Sequence, residues 1–179
     1  MKTAIIYRSK TGFSARYARW LAKALHADLY RYRTVDSDLL TAYDTIIYGA
    51  GFYCGRLSGC RWFRKISEPL AQQRLFVYAT GSMPCVQPRD LQKEWDMSFS
   101  RGFQKRLHLF YLPGGMNYAV LNSIDSLLMR IYRRAMLLSP FTAPDTRRLM
   151  LRLDRSVSYM EHDAIQPMVR TIGTDKSLK

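Results

Sequence analysis

The chain's most restrictive feature is a series of five short strand-like segments, four of them apolar runs and one, at 28–33, alternating, separated by stretches with helical periodicity. Most of the segments lack a polar face, which is typical of strands buried on both sides of a parallel sheet. The segments occupy residues 3–7, 28–33, 45–50, 74–79 and 107–112, and helical patterns lie at 15–26, 62–70 and 89–103. Because the crossovers between parallel strands are right-handed, the sequence predicts an α/β fold, a doubly wound five-stranded parallel sheet with helices on both faces.

The size of the chain fits one domain that spans residues 1–179. A chain of 179 residues buries about 70% of its unfolded surface, so it needs no metal or disulfide to form a core. Its three cysteines are too few for a disulfide framework and lack the spacing of a zinc site. We therefore expect reduced thiols and no metal.

A strongly basic segment follows the fifth predicted strand, at about residues 117–155. It contains an apolar helical stripe from Ile124 to Leu138 beside several arginines, and the segment has far more arginines than acids. Pro140 and Pro144 end this predicted helix. A last helix is predicted over residues 159–172, with Pro167 either kinking it or marking its start.

The whole chain carries 28 Lys and Arg against 14 Asp and Glu, a net charge of +14. This balance indicates an anionic partner, which is a nucleic acid, an acidic membrane face or a small acid. It argues against a freely diffusing anionic electron carrier. Because no nucleic-acid-binding motif is present, a nucleic acid is the least favoured of these partners.

The first apolar run leads into Ser9-Lys10-Thr11-Gly12-Phe13-Ser14 and then into a helix. Hydroxyls, a glycine and the amides of a helix start converge there, an arrangement typical of a phosphate-binding loop. The loop has neither the dinucleotide glycine pattern nor a triphosphate-loop lysine. An ordinary helix cap made by Ser or Thr is the alternative interpretation.

This loop resembles the Ser/Thr-x-Thr-Gly-x-Ser/Thr loop with which flavodoxins bind the phosphate of FMN. The resemblance covers roughly residues 1–115, and it implies a flavodoxin-like fold with FMN as cofactor. It also implies that two further loops, after the third and fourth strands, enclose the flavin ring. The implied cofactor-binding residues are Ser9, Lys10, Thr11, Gly12, Phe13, Ser14, Ala50, Gly51, Phe52, Tyr53, Cys54, Gly55, Thr80, Gly81, Ser82 and Met83. Phe52 and Tyr53 can offer an aromatic face to the ring, although packing on the sheet edge is the alternative.

Within this superfamily the chain is most similar to the menaquinone-dependent protoporphyrinogen oxidases. The likeness is carried by residues 48–56, by the turn at 112–118 and by the basic stretch at 124–138 followed by 142–148. It implies an FMN-dependent oxidoreductase of heme biosynthesis that passes electrons from a protoporphyrinogen-like substrate to a quinone. Residues 80–84 and the C-terminal helix depart from that family's pattern.

The candidates for contact with the substrate's carboxylates or with an anionic membrane are Arg130, Arg133, Arg134, Arg147 and Arg148. The alternative is a helix that only covers the sheet, with its arginines in solvent. The resemblance implies a cytoplasmic protein and leaves open a peripheral contact with the inner face of the cell membrane. The oligomeric state is left open by the sequence.

The implied chemistry is redox, so we assign no catalytic acid, base or nucleophile. Two other functions remain as alternatives, a flavodoxin-type electron-transfer protein without its own substrate and, least favoured, a basic nucleic-acid-binding protein.

Overall fold

The computed structural model of the chain describes residues 2–53, 55–83, 86–117, 120, 123–140, 147, 151 and 156–174. Cys54 and Arg148, both among the predicted binding residues, lie outside this set. The strands are β1 (Thr3–Arg8), β2 (Asp28–Arg31), β3 (Thr45–Tyr53), β4 (Arg56–Leu57), β5 (Arg74–Gly81), β6 (Leu107–Pro113), β7 (Gly115–Met116) and β8 (Val157–Ser158). The main helices are α1 (Phe13–Leu25), α2 (Ser37–Leu40), α3 (Cys60–Ser67), α4 (Pro88–Ser98), α5 (Arg101–Gln104), α6 (Ser123–Leu138) and α7 (Gln166–Thr174).

Five strands form the predicted parallel sheet, in the order β2-β1-β3-β5-β6. The order reverses direction at β1 and β3, and the carboxyl ends of these neighbouring strands form the crevice where ligands bind in such sheets. Two-residue β4 joins the sheet as an antiparallel partner of β3. The α/β fold class and the five parallel strands are therefore confirmed.

Strand β5 shows how both faces of the sheet are covered. Leu75, Val77 and Ala79 lie in one buried cluster with residues of α3 and α4. Phe76 and Tyr78 point the other way, into a second buried cluster with residues of α1 and α7. Because side chains alternate along a strand and both faces are packed, the strand reads as a continuous apolar run.

The predicted strands and helices are present, and the differences are shifted ends, one interrupted helix and additional short strand pairs. Helix α1 begins at Phe13, two residues before the predicted start, because Gly12 adopts a left-handed conformation that turns the chain into the helix. The predicted helix at 89–103 is interrupted at Phe99, whose extended backbone separates α4 from α5. Pro167 marks a helix start and not a kink, since it lies in the first turn of α7.

The basic segment is bracketed by a small antiparallel ribbon in which Gly115 pairs with Ser158 and Met116 with Val157. This pairing brings the two ends of the segment side by side at the carboxyl end of β6. Within the segment, the structure describes α6 and a few single residues. The extent of the domain, residues 1–179, stays a prediction.

Candidate functional site

The first loop forms an open cradle above the start of α1. Gly12 has a φ of 93°, which favours glycine, and its amide donates to Ser9 Oγ at 3.0 Å. A Cβ added at Gly12 would meet no atom within 4 Å, so the space above the loop is open. The residue that caps α1 is Gly12, and no side chain bonds to the helix start as a cap. The ordinary Ser or Thr cap, which was the alternative interpretation of this loop, is therefore not what the structure shows.

The helix start leaves donors directed at this space. Since α1 begins at Phe13, the amides of Phe13, Ser14 and Ala15 have no acceptor within the helix. The first turn also has no acidic residue, so nothing there opposes an anion. Backbone donors together with the positive end of the helix dipole suit a phosphate group.

A buried hydrogen-bond network supports the cradle from below. Ser14 Oγ lies 2.7 Å from Thr80 Oγ1, which ties the first loop to the end of β5. The Tyr78 hydroxyl donates to the Ser14 carbonyl at 2.7 Å, and burial raises the pKa of Tyr78 well above its usual value. Tyr78 therefore stays a neutral donor, and the backbone of the loop is fixed before any ligand binds.

Two short strand segments, 52–53 and 56–57, pair in antiparallel fashion where the sequence predicted a loop. Strand β3 runs on to Tyr53, and Phe52 pairs with Leu57 across the turn. The Phe52 ring packs edge-on against Trp95 of α4, at 4.9 Å between ring centres, so it belongs to the sheet packing. Packing on the sheet edge was the alternative to stacking on the flavin ring. A stacking role for Phe52 stays a prediction.

Lys10 and Tyr53 connect the first loop to this strand pair. The Lys10 ammonium lies 4.0 Å from the centre of the Tyr53 ring, within the range of a cation–π contact. The structure thus brings two predicted binding residues from separate loops together. It also places Ala50 and Gly51 beside β5, where Ala50 pairs with Ala79 and Gly51 with Thr80.

The loop after β5 is fixed by the neighbouring strand. The Tyr111 hydroxyl donates to the Met83 carbonyl at 2.6 Å, and the Gly114 amide donates to the Gly81 carbonyl at 2.9 Å. A Cβ at Gly81 would lie 2.6 Å from the Tyr111 hydroxyl, so a larger residue here would displace the Tyr111 side chain. Both contacts set the path of Gly81, Ser82 and Met83 at the carboxyl edge.

The ribbon that carries the basic segment packs directly against the first loop. A Cβ at Gly115 would lie 2.1 Å from the Val157 carbonyl oxygen and 2.8 Å from the Phe13 ring. Tyr17 adds a second tie, because its hydroxyl donates to the Pro113 carbonyl at 2.7 Å and accepts from the Glu161 amide at 3.3 Å. Phe13 therefore faces the ribbon and not open solvent.

The predicted arginines take different positions on and after α6. Arg130 and Arg134 are exposed, and Arg133 is half-buried. Arg147 donates to the Leu137 carbonyl at 2.7 Å, which satisfies a carbonyl at the end of α6. None of the helices in the described ranges combines the length and the apolarity needed to cross a membrane.

Sequence reasoning missed the tyrosines that hold the loops in place, Tyr17, Tyr78 and Tyr111. Each lies in an apolar pattern; Tyr17 and Tyr78 are fully buried, and Tyr111 is half-buried. Their hydroxyls bond to residues 28 to 144 positions away in the chain, since these bonds have sequence separations of 28, 64, 96 and 144. A tyrosine where phenylalanine would serve for packing is the only signal the sequence offers.

Comparisons with known proteins decide the family. Residues 4–136 match the family model described as a flavodoxin domain. The chain belongs to the flavodoxin domain family. Membership indicates FMN as the cofactor, and the open cradle at Gly12 fits its phosphate.

Individual relatives are distant. An uncharacterised protein of Methanocaldococcus jannaschii is 29% identical over 130 residues, covering 65% of this chain and 85% of that protein. Oxidised flavodoxin 2 of Bacillus cereus is 18% identical with a TM-score of 0.49, covering 71% of this chain and 91% of that one. Two-electron reduced flavodoxin of Megasphaera elsdenii is 14% identical with a TM-score of 0.48, covering 83% and 95%. None of these names specifies a protoporphyrinogen oxidase, so the electron donor stays a prediction.

Proposed function

We propose that this flavodoxin-family protein is an FMN-dependent oxidoreductase that passes electrons from an organic donor through FMN to a quinone. The observation that carries the proposal is the position of the basic segment. Its ribbon contacts Phe13 of the first loop through Gly115, so the segment leaves and rejoins the fold at the cofactor site. An electron carrier without a substrate does not need such an element there.

Contacts of α6 support the same proposal. Met136 and Leu137 of α6 share an apolar cluster with Met83, a residue of the loop after β5, and with Val157 of the ribbon. The end of the helix thus lies beside a loop that the resemblance assigns to the flavin ring. A substrate that reaches the ring at this edge would meet α6.

The protein's own part in the reaction is binding and orientation. FMN supplies the redox chemistry when it is bound. The amides at the start of α1 would hold its phosphate, and the Ser14–Thr80–Tyr78 network keeps them aligned. The loop after β5, fixed by Tyr111, would offer backbone groups to the polar edge of the ring.

For the donor, we propose a protoporphyrinogen-like molecule, an apolar macrocycle with carboxylates. Helix α6 presents apolar and cationic side chains on one exposed surface, where Leu127 and Ile131 lie near Arg130 and Arg134. An apolar wall with guanidinium groups is complementary to such a substrate. The same surface suits peripheral contact with an anionic membrane, where a quinone would be found. A cytoplasmic location is part of this proposal.

The test is a visible absorption spectrum of the protein, followed by an assay of protoporphyrinogen oxidation. We expect purified protein to retain flavin absorbance after incubation with FMN and desalting, and to oxidise protoporphyrinogen with menadione as acceptor. Retained FMN without turnover would favour the electron-transfer alternative. Protein that stays colourless and shows no thermal shift with FMN would contradict the proposal as a whole.

Two variants make the test specific to the site. Gly12→Val places a β-branched side chain at a φ of 93° and in the open cradle, so we expect FMN affinity to fall about tenfold or more. Gly173→Ala is the matched control, because its Cβ would meet no atom within 4 Å and the residue lies in α7. The control is expected to bind FMN like the unmodified protein.

A further inference from the structure

Two arginines lie over one tyrosine ring beside the cofactor cradle. The guanidinium carbon of Arg8 is 4.4 Å from the centre of the Tyr32 ring, and that of Arg33 is 5.2 Å from it. Arg8 is the last residue of β1 and immediately precedes Ser9 of the first loop. Arg33 follows the end of β2, the neighbouring strand. Both cations are therefore at the carboxyl edge of the sheet.

Tyr32 is a fixed platform for them. Its amide donates to the Tyr7 carbonyl at 2.8 Å, and its ring packs edge-on against Trp62, with 4.7 Å between ring centres. A Cβ at Gly59 would lie 2.8 Å from Tyr32 Cε2, so the turn before α3 closes on the same ring. The aromatic platform is positioned by three separate elements of the fold.

Arg8 and Arg33 differ from Arg74, Arg101 and Arg106 in how their guanidinium donors are used. Arg74 and Arg106 direct guanidinium N–H groups at backbone carbonyls, and Arg101 donates to Asp96. The guanidinium groups of Arg8 and Arg33 make no hydrogen bond to any residue in the described ranges. A contact through the flat face of a guanidinium leaves its in-plane donors available to a ligand.

Arg33 also occupies a backbone position that disfavours it. Its φ is 65°, in the left-handed region, within a turn where the Thr34 amide and hydroxyl both bond to the Arg31 carbonyl. Glycine or asparagine would adopt this conformation at lower cost. An arginine placed there against backbone preference, beside a second cation, indicates that its side chain has a role.

We infer that Arg8 and Arg33 form an anion clamp for a carboxylate or phosphate group of the flavin's electron donor. Two guanidinium groups can each give paired N–H donors to one such anion. That the bound anion belongs to the electron donor rests on the proposed function. That the two arginines bind an anion does not. The clamp residues follow β1 and β2 and do not belong to α6, so the clamp would be an anchor additional to the arginines of the basic segment.

The experiment uses the FMN-loaded full chain and two probes. Inorganic pyrophosphate and succinate are titrated separately by calorimetry, and the dissociation constants of FMN and riboflavin are measured on the same variants. We expect one anion site, with R8Q/R33Q weakening the bound probe about tenfold or more. Tighter binding of pyrophosphate would point to a phosphate-bearing donor, and tighter binding of succinate to a carboxylate-bearing one.

Two control variants distinguish loss of the clamp from a general loss of positive charge and from a loss of folding. R19Q/K23Q removes the same two charges from the exposed side of α1, and we expect it to change probe binding by less than about twofold. R33G removes the side chain and suits the left-handed backbone, so it should weaken binding of the probe without lowering the thermal midpoint.

Three results would overturn the clamp. The first is an FMN-loaded protein that binds neither probe, and the second is equal probe binding by the unmodified protein and R8Q/R33Q. The third is a loss of FMN but not riboflavin affinity in R8Q/R33Q, which would assign the arginines to the cofactor phosphate. If the chain binds no FMN yet binds a probe through these arginines, the clamp stands and the proposed function fails.

Discussion

The cradle at Gly12 and helix α6 are stabilised in opposite ways. Beneath the cradle, Ser14, Tyr78 and Thr80 are buried and bonded to one another across two elements. On α6, Leu127 and Ile131 are 58% and 57% exposed, and the segment is bracketed by a short two-stranded ribbon. The packing therefore holds the cofactor site in place and leaves α6, the element that we propose faces the substrate, weakly packed. This division suits a firmly held cofactor combined with an exchanging substrate.

The largest loss of stability is expected when a side chain is added beneath the cradle, at Gly49. A Cβ at Gly49 would lie 1.9 Å from the Tyr78 ring, in a strand with no room to move. We expect Gly49→Ala to lower the free energy of unfolding by about 3 kcal/mol, as measured by urea denaturation. Gly102→Ala in α5 has open space and should be neutral or slightly stabilising. Equal stability of the two variants would show that the sheet tolerates overpacking here.

A smaller loss of stability is expected when the Tyr78 hydroxyl is removed. Tyr78→Phe keeps the ring but leaves the buried Ser14 carbonyl without this donor, at a cost of about 1–2 kcal/mol in unfolding free energy. FMN affinity should fall as well, because the first loop loses a support. Tyr7→Phe is the control, since the Tyr7 hydroxyl bonds to no residue in the part of the chain that the structure describes. An unchanged FMN dissociation constant in Tyr78→Phe would separate loop support from cofactor binding.

A weaker, pH-dependent effect is expected at the outer surface of α4. Hydrogen bonds from Gln104, Gln92 and Arg101 lower the pKa of Asp96 below its usual value. The folded state therefore releases this proton more easily than the unfolded state, so Asp96 adds stability above the unfolded pKa of about 3.9. The contribution disappears as the pH falls through the lower folded value. We expect Asp96→Asn to be slightly less stable than the unmodified protein at pH 6 and equal to it near pH 2, in urea titrations at both pH values.

The smallest effect on stability is expected from α6 itself. Leu127→Ser/Ile131→Ser removes exposed apolar groups, so we expect the unfolding free energy to change by less than about 0.5 kcal/mol and FMN affinity to stay the same. Under the proposed function the KM for protoporphyrinogen should rise. Leu151→Ser, at another exposed position, would be the control. A large loss of stability in the α6 variant would contradict the contrast between the two regions.

Much of the cofactor site could be predicted from sequence because its elements are local. A buried strand, a glycine-containing turn and an amphipathic helix follow one another in residues 3–25, and each has a local signal. The strand pairing of Tyr53 with Arg56 could not be predicted in this way. It extends β3 past residues that look like a glycine-rich loop, and Phe52 turns to Trp95 of a helix about 40 residues later.

The sequence by itself determined the strands, the face-to-face alternation along them, the first loop and the basic charge, because each depends on neighbours a few residues apart. Only the tertiary structure decided which loops meet at the carboxyl edge. The Tyr78 and Tyr111 hydroxyls, the Gly115–Phe13 contact and the two arginines over Tyr32 join segments that no local pattern relates. Their physical cause is the order of the parallel strands, which places distant carboxyl ends side by side.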